Sequence, residues 1–328
     1  MLQYIVRRIL LMIPTLFAVS LISFAIIQLP PGDYLTTYVA TLAAQGETVD
    51  EAELQMLEER YGLGLPFYQQ YFRWMKNILL EGDLGQSFTW NKPVNDLIWD
   101  RLAFTMLITL TTVIFIWIVA LPIGIYSAVR QYSIGDYVAT FFGFLGLATP
   151  NFLLALILMY VAFKYFGQSV GGLFSPEFQD VPWSLARVQD LISHLWIPVL
   201  ILGTAGTAGL IRIMRANLLD EIHKPYVITA RAKGMPERRL IWRYPVRVAM
   251  NPFISTIGWT LPALVSGSII VSVVLNLPTT GPLLLQALLQ QDMFLAGSFI
   301  LVVSCLTVVG TLISDILLAW LDPRIRYQ

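Results

Sequence analysis

Residues 103–129 read AFTMLITLTTVIFIWIVALPIGIYSAV and contain no charged side chain. An α-helix rises about 1.5 Å per residue and needs about 20 apolar residues to cross a hydrocarbon core of about 30 Å, so this stretch can span a bilayer. Further apolar runs have comparable length, at Ile9–Leu29, 137–163, 195–216, 251–275 and 293–319. The pattern predicts an all-α integral membrane protein with six transmembrane helices.

The composition of the 328-residue chain agrees with this fold class. Hydrophobic residues make up 56% and charged residues 13% of the sequence, and the mean hydropathy is +0.68. A soluble surface rarely tolerates so little charge, so a lipid bilayer is expected to cover much of the chain. The formal net charge is zero and does not indicate nucleic-acid binding. Cys305 is the one cysteine, which excludes an intramolecular disulfide.

The first apolar run follows Arg7 and Arg8, as the core of a cleaved signal peptide would. Such a core is about 7–15 residues long and ends at a small-residue cleavage site. The run here is longer and ends in Gln28-Leu29-Pro30-Pro31-Gly32. A retained anchor is therefore favoured over a signal peptide.

Basic residues predict the orientation of the helices. Six spans place both termini on the same side, and cytoplasmic flanks are enriched in Lys and Arg. With the N-terminus inside, the inside segments hold 14 of the 21 basic residues. The predicted topology is N-in and C-in, with residues 1–30 as the first transmembrane helix, 31–100 as an extracytoplasmic helical loop domain and 101–328 as a five-helix core.

The extracytoplasmic segment has an acidic excess and two helical patterns. Thr48 and Glu51 form a capping box, and Gly62 can close the helix that follows it. A second stretch, Phe67 to Leu80, is rich in aromatic residues that suit either a membrane interface or a small core, with the interface slightly favoured. Breakers within the spans, including Pro150, indicate a helix bundle with a path through it, although the general frequency of Gly and Pro in transmembrane helices explains any single one equally well. The series Gly203, Gly206 and Gly209 favours close helix packing.

The longest cytoplasmic loop, 217–247, carries seven basic residues against three acidic ones. Pro225 suits the first position of a short helix, Tyr226 to Lys233 can form about two turns, and Gly234 supplies a left-handed cap. A rigid basic helix of this kind can dock a soluble partner. The alternative is a loop whose charge only sets membrane topology.

The sequence Tyr226-Val227-Ile228-Thr229-Ala230-Arg231-Ala232-Lys233-Gly234 resembles the cytoplasmic coupling segment of ABC-importer permeases of the dipeptide, oligopeptide and nickel group. Four more strings resemble the first-type permease subunit of that group, in the same order along the chain: Tyr4-Ile5-Val6-Arg7-Arg8 with Ile13-Pro14-Thr15, Arg60-Tyr61-Gly62-Leu63, Gly82-Asp83-Leu84-Gly85-Gln86-Ser87, and Leu321-Asp322-Pro323-Arg324-Ile325-Arg326-Tyr327. The resemblance covers nearly the whole chain.

The resemblance implies a permease subunit without catalytic residues, cofactor or metal of its own, forming half of a translocation path in a bacterial or archaeal cytoplasmic membrane. Its implied partners are a second homologous permease, two ATPase subunits that bind ATP and Mg, and an extracytoplasmic substrate-binding protein. The residues implied to dock the ATPase are Tyr226, Val227, Ala230, Arg231, Lys233 and Gly234, with Ala230 packed in its cleft, Arg231 and Lys233 in polar contacts, and Gly234 setting the turn. No Walker-type GxxxxGK[ST] loop is present, in agreement with ATP hydrolysis by partners.

Peptides are the expected substrates, with oligosaccharides and nickel chelates as alternatives in the same group. The chain departs from the group at two places. Ile228 and Thr229 stand where the general importer motif has Glu and Ala, and Ser272 and Thr279-Thr280 stand where the group has a Glu and a Pro-Gly-Leu-Gly string.

Neutral polar residues that could line the path are Thr260, Ser266, Ser268 and Asn276. They are compatible with a pore that leaves selection to the external binding protein. An ion-coupled transporter would bury acidic residues near mid-membrane, and the only acidic residue within a predicted span is Asp315, for which a structural contact is expected. An intramembrane enzyme using Ser266, Ser268 or Ser304 with His194 is the least favoured alternative.

Overall fold

A computed structural model describes residues 2–28, 39, 56, 65–87, 89–167, 171–179, 181–256, 260, 263, 268–290 and 292–321. Its helices run in chain order as α1 (Leu2–Gln28), α2 (Phe67–Lys76), α3 (Val94–Val129), α4 (Ile134–Ala148), α5 (Asn151–Val161), α6 (Leu185–Ile222), α7 (Pro225–Ala232), α8 (Glu237–Arg243), α9 (Pro245–Ser255), α10 (Ile269–Val274), α11 (Thr280–Leu289) and α12 (Met293–Leu321). Single π-turns extend α2 and α5, over Asn77–Glu81 and Ala162–Phe166, and a 3₁₀ turn covers Pro176–Phe178. Strands β1 (Gln86–Ser87) and β2 (Lys92–Pro93) pair antiparallel, with Gln86 opposite Pro93.

Among the described residues, four helical stretches are long and apolar enough to cross a membrane: Ile5–Ile26, Val94–Val129, Leu185–Ile222 and Phe294–Leu317. They match the predicted first, second, fourth and sixth spans. The predicted fifth span, 251–275, falls partly outside the described residues, between the end of α9 and the start of α10. The helical membrane class is therefore supported, and the number six stays a prediction.

The predicted third span, 137–163, is not one straight helix. It consists of α4 and α5 with its π-turn, and the two parts meet at an angle of 104°. Proline disfavours a helical conformation at the residue before it, and Thr149 accordingly has extended dihedrals, with φ −83° and ψ 120°, before Pro150 opens α5. Each part is about 22–24 Å long and is too short to cross the bilayer alone.

The sequence predicts one capping box, and the structure shows a serine N-cap at another helix. The box at Thr48 and Glu51, with Gly62 and the string at Arg60–Leu63, lies outside the described residues, as does the terminal string from Asp322. At the start of α4, the Ser133 hydroxyl accepts a hydrogen bond from the Asp136 amide at 3.3 Å. Serine at this position satisfies a backbone donor that the first helical turn leaves free.

The contacts divide the chain into two compact units, neither of which is continuous in sequence. The larger unit comprises residues 1–9, 104–282 and 307–328, and the smaller unit comprises 10–103 and 283–306.

In the larger unit, α6 packs against α3, α4, α5 and α9. Glycines allow its backbone to approach its neighbours closely. A Cβ added to Gly203 would lie 2.6 Å from the Phe115 ring, and one added to Gly206 would lie 2.7 Å from Ile116. Close packing is thus confirmed at Gly203 and Gly206. It is wrong for Gly209, because a Cβ there would meet open space.

The two chain ends of the larger unit are joined by an ion pair. Arg8 near the start of α1 lies 3.1 Å from the Asp315 carboxylate near the end of α12. The expectation of a structural contact for Asp315 is confirmed.

In the smaller unit, the aromatic stretch of α2 packs on α1. Phe24 lies 5.2–5.6 Å, between ring centroids, from Phe67, Tyr71 and Trp74, and the hydroxyls of Ser20 and Tyr71 are 2.7 Å apart. Tyr71 and Trp74 are buried. These two residues form a small core, which the sequence had placed second to a membrane interface.

Gly124 of α3 lies where α3 crosses α6, and its substitution tests the close packing of these two helices. A Cβ at Gly124 would lie 2.7 Å from Met214 Cβ and 3.2 Å from the Ile211 carbonyl oxygen, and neither atom is the end of a flexible side chain. Gly124→Ala is expected to destabilise the protein by about 1–3 kcal/mol through overpacking. Gly209→Ala is the matched control and should be neutral or stabilising by up to about 1 kcal/mol. Thermal unfolding in detergent measures both, and equal midpoints would contradict the crossing.

Candidate functional site

The basic loop after α6 contains the short helix that the sequence predicts. Lys224 is the extended N-cap of α7, Pro225 occupies the first position, and the helix ends at Ala232. Proline is favoured there because its fixed φ suits a helix and its missing N–H would be unpaired anyway. Gly234 follows with φ +77°. The predicted helix and its left-handed cap are confirmed.

A Schellman motif closes α7. The Gly234 amide donates to the Arg231 carbonyl at 3.0 Å, and the Met235 amide donates to the Ala230 carbonyl at 3.4 Å. These are the two bonds that define the motif, and the left-handed residue between them is normally glycine. Met235 and Ala230 both pack against a cluster of buried apolar residues that also contains Val227 of α7. The turn is therefore held by hydrogen bonds and by apolar contact together.

Val227 anchors α7 to the rest of the chain. Its side chain is fully buried in what we call the loop-end cluster, whose buried members are Ile116, Ala120, Ile125, Ala128, Leu210, Met214, Leu218, Val227, Leu240, Ile241, Val246, Ala249 and Phe253. Burying a valine side chain contributes about 1.5–3 kcal/mol. Val227 thus lies among residues of its own chain and presents no surface to a partner.

The opposite face of α7 is exposed. Tyr226 is 40% exposed and Ile228 is 54% exposed, and Lys233 also lies at the surface. Ala230 is half-buried beside the loop-end cluster. All seven basic side chains of the loop 217–247 are exposed. The segment therefore presents apolar and basic groups together on one accessible surface.

Arg231 pairs with Glu237 across the turn that follows α7. The guanidinium donates from Nε at 3.0 Å and from Nη2 at 2.6 Å to the two carboxylate oxygens. The hydrogen bonds from Arg231 hold the pKa of Glu237 below its ordinary value of 4.5. The pair links the end of α7 to the start of α8. Arg231 thus has an intrachain partner in addition to any contact with another subunit.

Tyr226 is oriented by the end of α6. Its hydroxyl donates to the Glu221 carboxylate at 2.5 Å. Burial and this neighbouring carboxylate raise the pKa of Tyr226 above its ordinary value, so the phenol is neutral at physiological pH. The exposed part of its ring is therefore held in a defined direction.

Sequence reasoning missed the two acidic partners, Glu221 and Glu237, although it located the basic residues. A signal was present, because Glu237 stands just beyond the glycine cap and a charge of opposite sign lies at Arg231 in the last turn of α7. Met235 also follows Gly234 at the position where Schellman motifs place an apolar residue. The structure places all six predicted docking residues in one segment, with five at least partly accessible and Val227 buried.

The predicted path residues do not lie in one segment, unlike the predicted docking residues. Ser268 is buried at the start of α10, and Asn276 is exposed in the turn after it with a left-handed φ of 49°. The Thr260 amide donates to the Thr256 carbonyl. Ser266 lies outside the described residues.

Thr280, one of the residues at which the chain departs from the group, forms hydrogen bonds with α3. The hydroxyls of Thr105 and Thr280 are 3.0 Å apart, and the Thr280 amide donates to Thr105 at 3.0 Å. Thr280 is fully buried and Ser272 is nearly so. The Thr105–Thr280 hydrogen bonds hold the start of α11 against α3.

His194, the base suggested for an intramembrane enzyme, hydrogen bonds within α6. Its Nδ1 lies 2.8 Å from the Asp190 carbonyl and 3.1 Å from the Ser193 hydroxyl. Ser304 belongs to the smaller unit. Within the part of the chain that the structure describes, no three His, Cys, Asp or Glu side chains are grouped to hold a metal ion.

The string Gly82–Ser87 has a structural role in the smaller unit. The Leu84 amide donates to Asn95 Oδ1, and its carbonyl accepts from the Ser298 hydroxyl, each at 2.9 Å. The Ser87 hydroxyl donates to the buried Asp292 carboxylate, which also accepts from the Leu295 amide in the first turn of α12. This segment ties the starts of α3 and α12 together.

The Arg231–Glu237 pair predicts a local effect on exchange. Glu237→Gln is expected to raise the exchange rates of the Gly234 and Met235 amides about two- to threefold, because a solvent-exposed ion pair makes only a small contribution to local stability. Hydrogen-exchange mass spectrometry in lipid nanodiscs measures this. Glu177→Gln, at an exposed glutamate of another segment, is the control and should leave both amides unchanged. Identical exchange in Glu237→Gln and the unmodified protein would contradict the pair.

The same pair predicts a pH dependence with a definite sign. Because the pKa of Glu237 is lowered on folding, its contribution is complete above pH 4.5 and is lost as the pH falls through the lowered value. The exchange difference between the unmodified protein and Glu237→Gln should therefore be constant near neutral pH and vanish in acid. A difference that grew on acidification would contradict it.

Comparison with known proteins connects this geometry to a family. Residues 120–327 match the family described as binding-protein-dependent transport system inner membrane component, and residues 1–111 match the N-terminal family of such membrane components. The chain is 37% identical to the oligopeptide transport system permease protein AppB of Bacillus subtilis, over 100% of both chains. It is 32% identical to the dipeptide transport system permease protein DppB of Alkalihalophilus pseudofirmus, and 32% identical to the glutathione transport system permease protein GsiC of Escherichia coli, again over 100% of each chain.

These matches cover both units and include the whole of α7. The resemblance inferred from five short strings is confirmed over the full length. The chain belongs to the family of binding-protein-dependent transport system inner membrane components.

Proposed function

We propose that this chain is the transmembrane permease subunit of an ATP-driven, binding-protein-dependent importer and that α7 is its docking element for an ATPase subunit. The observation that carries the docking proposal is the two-sided construction of α7. Val227 fastens one face to the loop-end cluster, while Tyr226, Ile228 and Lys233 are accessible on the other. A helix fastened in this way transmits a displacement because close-packed interiors are hard to compress.

ATP and Mg would be bound by the partner ATPase subunits, since the chain has no Walker-type loop. A second homologous permease would complete the translocation path, and an extracytoplasmic binding protein would deliver the substrate. Family membership supports these partners. The relatives named above are bacterial, which supports a location in a bacterial or archaeal cytoplasmic membrane.

The proposed topology is six spans with both termini in the cytoplasm. The distribution of Lys and Arg supports this orientation. The Arg8–Asp315 ion pair supports an even number of crossings, because it brings the start of α1 beside the end of α12. The pair also weighs against an ion-coupled transporter, since Asp315 is engaged in a structural contact.

Peptides are the proposed substrates, and the names of the relatives, which refer to oligopeptide, dipeptide and glutathione transport, support this choice. Oligosaccharides and nickel chelates are the alternatives. The proposed path residues Thr260, Ser266, Ser268 and Asn276 are uncharged, in keeping with selection by the binding protein. Uptake with the same rate and selectivity in proteoliposomes lacking the binding protein would contradict the proposal that the binding protein selects the substrate.

The docking proposal predicts the effect of replacing Gly234. A β-branched residue is a genuine outlier at φ +77°, so Gly234→Val should open the Schellman turn and displace α7. We expect the ATPase subunits no longer to co-purify, or ATP hydrolysis to continue without uptake. Co-purification from detergent and uptake in proteoliposomes measure the two outcomes.

Gly167 provides a matched control for this substitution. It also has a left-handed φ, +62°, and open space around its Cα, but it lies at the end of the π-turn that extends α5. Gly167→Val introduces a similar backbone strain away from α7 and should leave ATPase binding intact. Normal assembly and normal uptake in Gly234→Val would overturn the docking role.

A further inference from the structure

An ion pair with a buried carboxylate joins α4 to α6 two residues before the loop 217–247 begins. Arg215 donates from Nε to Asp136 Oδ1 at 3.1 Å and from Nη2 to Asp136 Oδ2 at 3.0 Å. Asp136 is only 3% exposed, and the Arg215 side chain is 29% exposed. Two parallel bonds between a guanidinium and a carboxylate fix orientation as well as distance.

Asp136 also closes the turn between α3 and α4. Its Oδ2 accepts a hydrogen bond from the Tyr132 amide at 3.0 Å, and its own amide donates to the Ser133 hydroxyl. Tyr132 has a left-handed φ of 63°, which is uncommon for a residue of its size. One carboxylate therefore fixes the entry of the chain into α4 and the position of α4 on α6.

The other end of the contact between α4 and α6 is also tight. A Cβ on Gly146 would lie 2.4 Å from the Thr204 methyl, and one on Gly143 would lie 3.6 Å from Ala208. Thr204 and Arg215 are about 16 Å apart along α6. Contacts at both ends of this length prevent α4 from tilting relative to α6.

The same part of α6 is joined to α7. Leu218, three residues after Arg215, is fully buried in the loop-end cluster with Val227. A displacement of α7 is thus received by α6 at Leu218 and reaches the ion pair within one helical turn. The alternative route, along the backbone of His223 and Lys224, is exposed and not packed.

We propose that the Asp136–Arg215 ion pair compels α4 to move with α6 and α7, so that displacement of the docking helix is transmitted to the first half of the bent helix pair. Asp136 and Arg215 are positioning residues in this scheme. Separating them would leave charges uncompensated in a buried site, which is strongly unfavourable. The Thr149–Pro150 break is then the place where α4 can change its angle to α5. This proposal rests on the proposed docking role of α7.

A distance measurement tests the rigid connection directly. Spin labels are placed at Tyr137→Cys on α4 and Ala216→Cys on α6, both exposed positions, in a cysteine-free complex containing Cys305→Ser. Pulsed electron resonance is recorded in nanodiscs without nucleotide and after trapping with ATP and vanadate. We expect one narrow distance distribution that is the same in both states. A shift between the two states would overturn the proposal.

Substitution of the ion pair tests its role in transport. Asp136→Asn should broaden the distance distribution and lower substrate uptake per ATP hydrolysed about tenfold, while the ATPase subunits still co-purify. Arg215→Lys keeps the charge but loses the bidentate geometry, and it should reduce coupling less. Asp220→Asn, at an exposed carboxylate on α6, is the matched control and should change neither readout.

The outcomes separate this inference from the docking proposal. If Asp136→Asn does not fold, Arg215→Lys and the distances in the unmodified complex still decide the question. Unchanged uptake per ATP in both variants would overturn the ion-pair role even if α7 docks the ATPase. Failure of the ATPase to bind the unmodified complex would instead overturn the docking proposal, and the label distances would still report whether α4 and α6 are joined.

Discussion

Glycine at the helix crossings allows α6 to contact α3 and α4 at backbone distance. Gly203 faces the Phe115 ring, Gly146 faces Thr204, and Gly124 faces Met214, with almost no room for a further methyl group. Hydrocarbon tails are as apolar as the helices they surround, so helix association in a membrane depends on such van der Waals contact rather than on the hydrophobic effect. The positions of α3, α4 and the loop 217–247 all follow from this packing around α6.

The loop 217–247 is held to the rest of the chain by different chemistry. Here water competes for every polar group, and the apolar anchor Val227 therefore supplies the attachment. Hydrogen bonds of the Schellman turn and the Arg231–Glu237 pair then define the direction of the exposed face. A partner would meet a surface whose shape is set before binding, which reduces the ordering cost of association.

Local features of the loop could be predicted from the sequence because they depend on residues that are neighbours in the chain. Pro225 and Gly234 mark the ends of α7 through their own backbone preferences. The 104° angle between α4 and α5 could not be predicted, although Pro150 was recognised as a breaker. Proline interrupts the helix, but the surrounding helices decide how far the two parts turn. At Gly209 the sequence predicted a close contact that is not formed. Its spacing matches Gly203 and Gly206, but a Cβ at Gly209 would meet open space.

The sequence also could not show which residues of α7 face the rest of the chain. Val227 and Ile228 are adjacent, similar apolar residues, and only the fold shows that the first is buried while the second is 54% exposed. Arg231 was expected to contact a partner, and the structure adds a pairing with Glu237 that the sequence did not indicate. Asp136 and Arg215 are 79 residues apart, and nothing in the pattern of either segment indicates their pairing.

By itself, the sequence determined the helical membrane class, the family and the start and end of α7, because hydropathy, short motifs and backbone preferences are properties of contiguous residues. Only the tertiary structure decided which face of α7 is free, where the third apolar run bends and which charges are joined. Those features depend on contacts between segments that are distant in the chain. A local sequence pattern does not show which distant segments will meet.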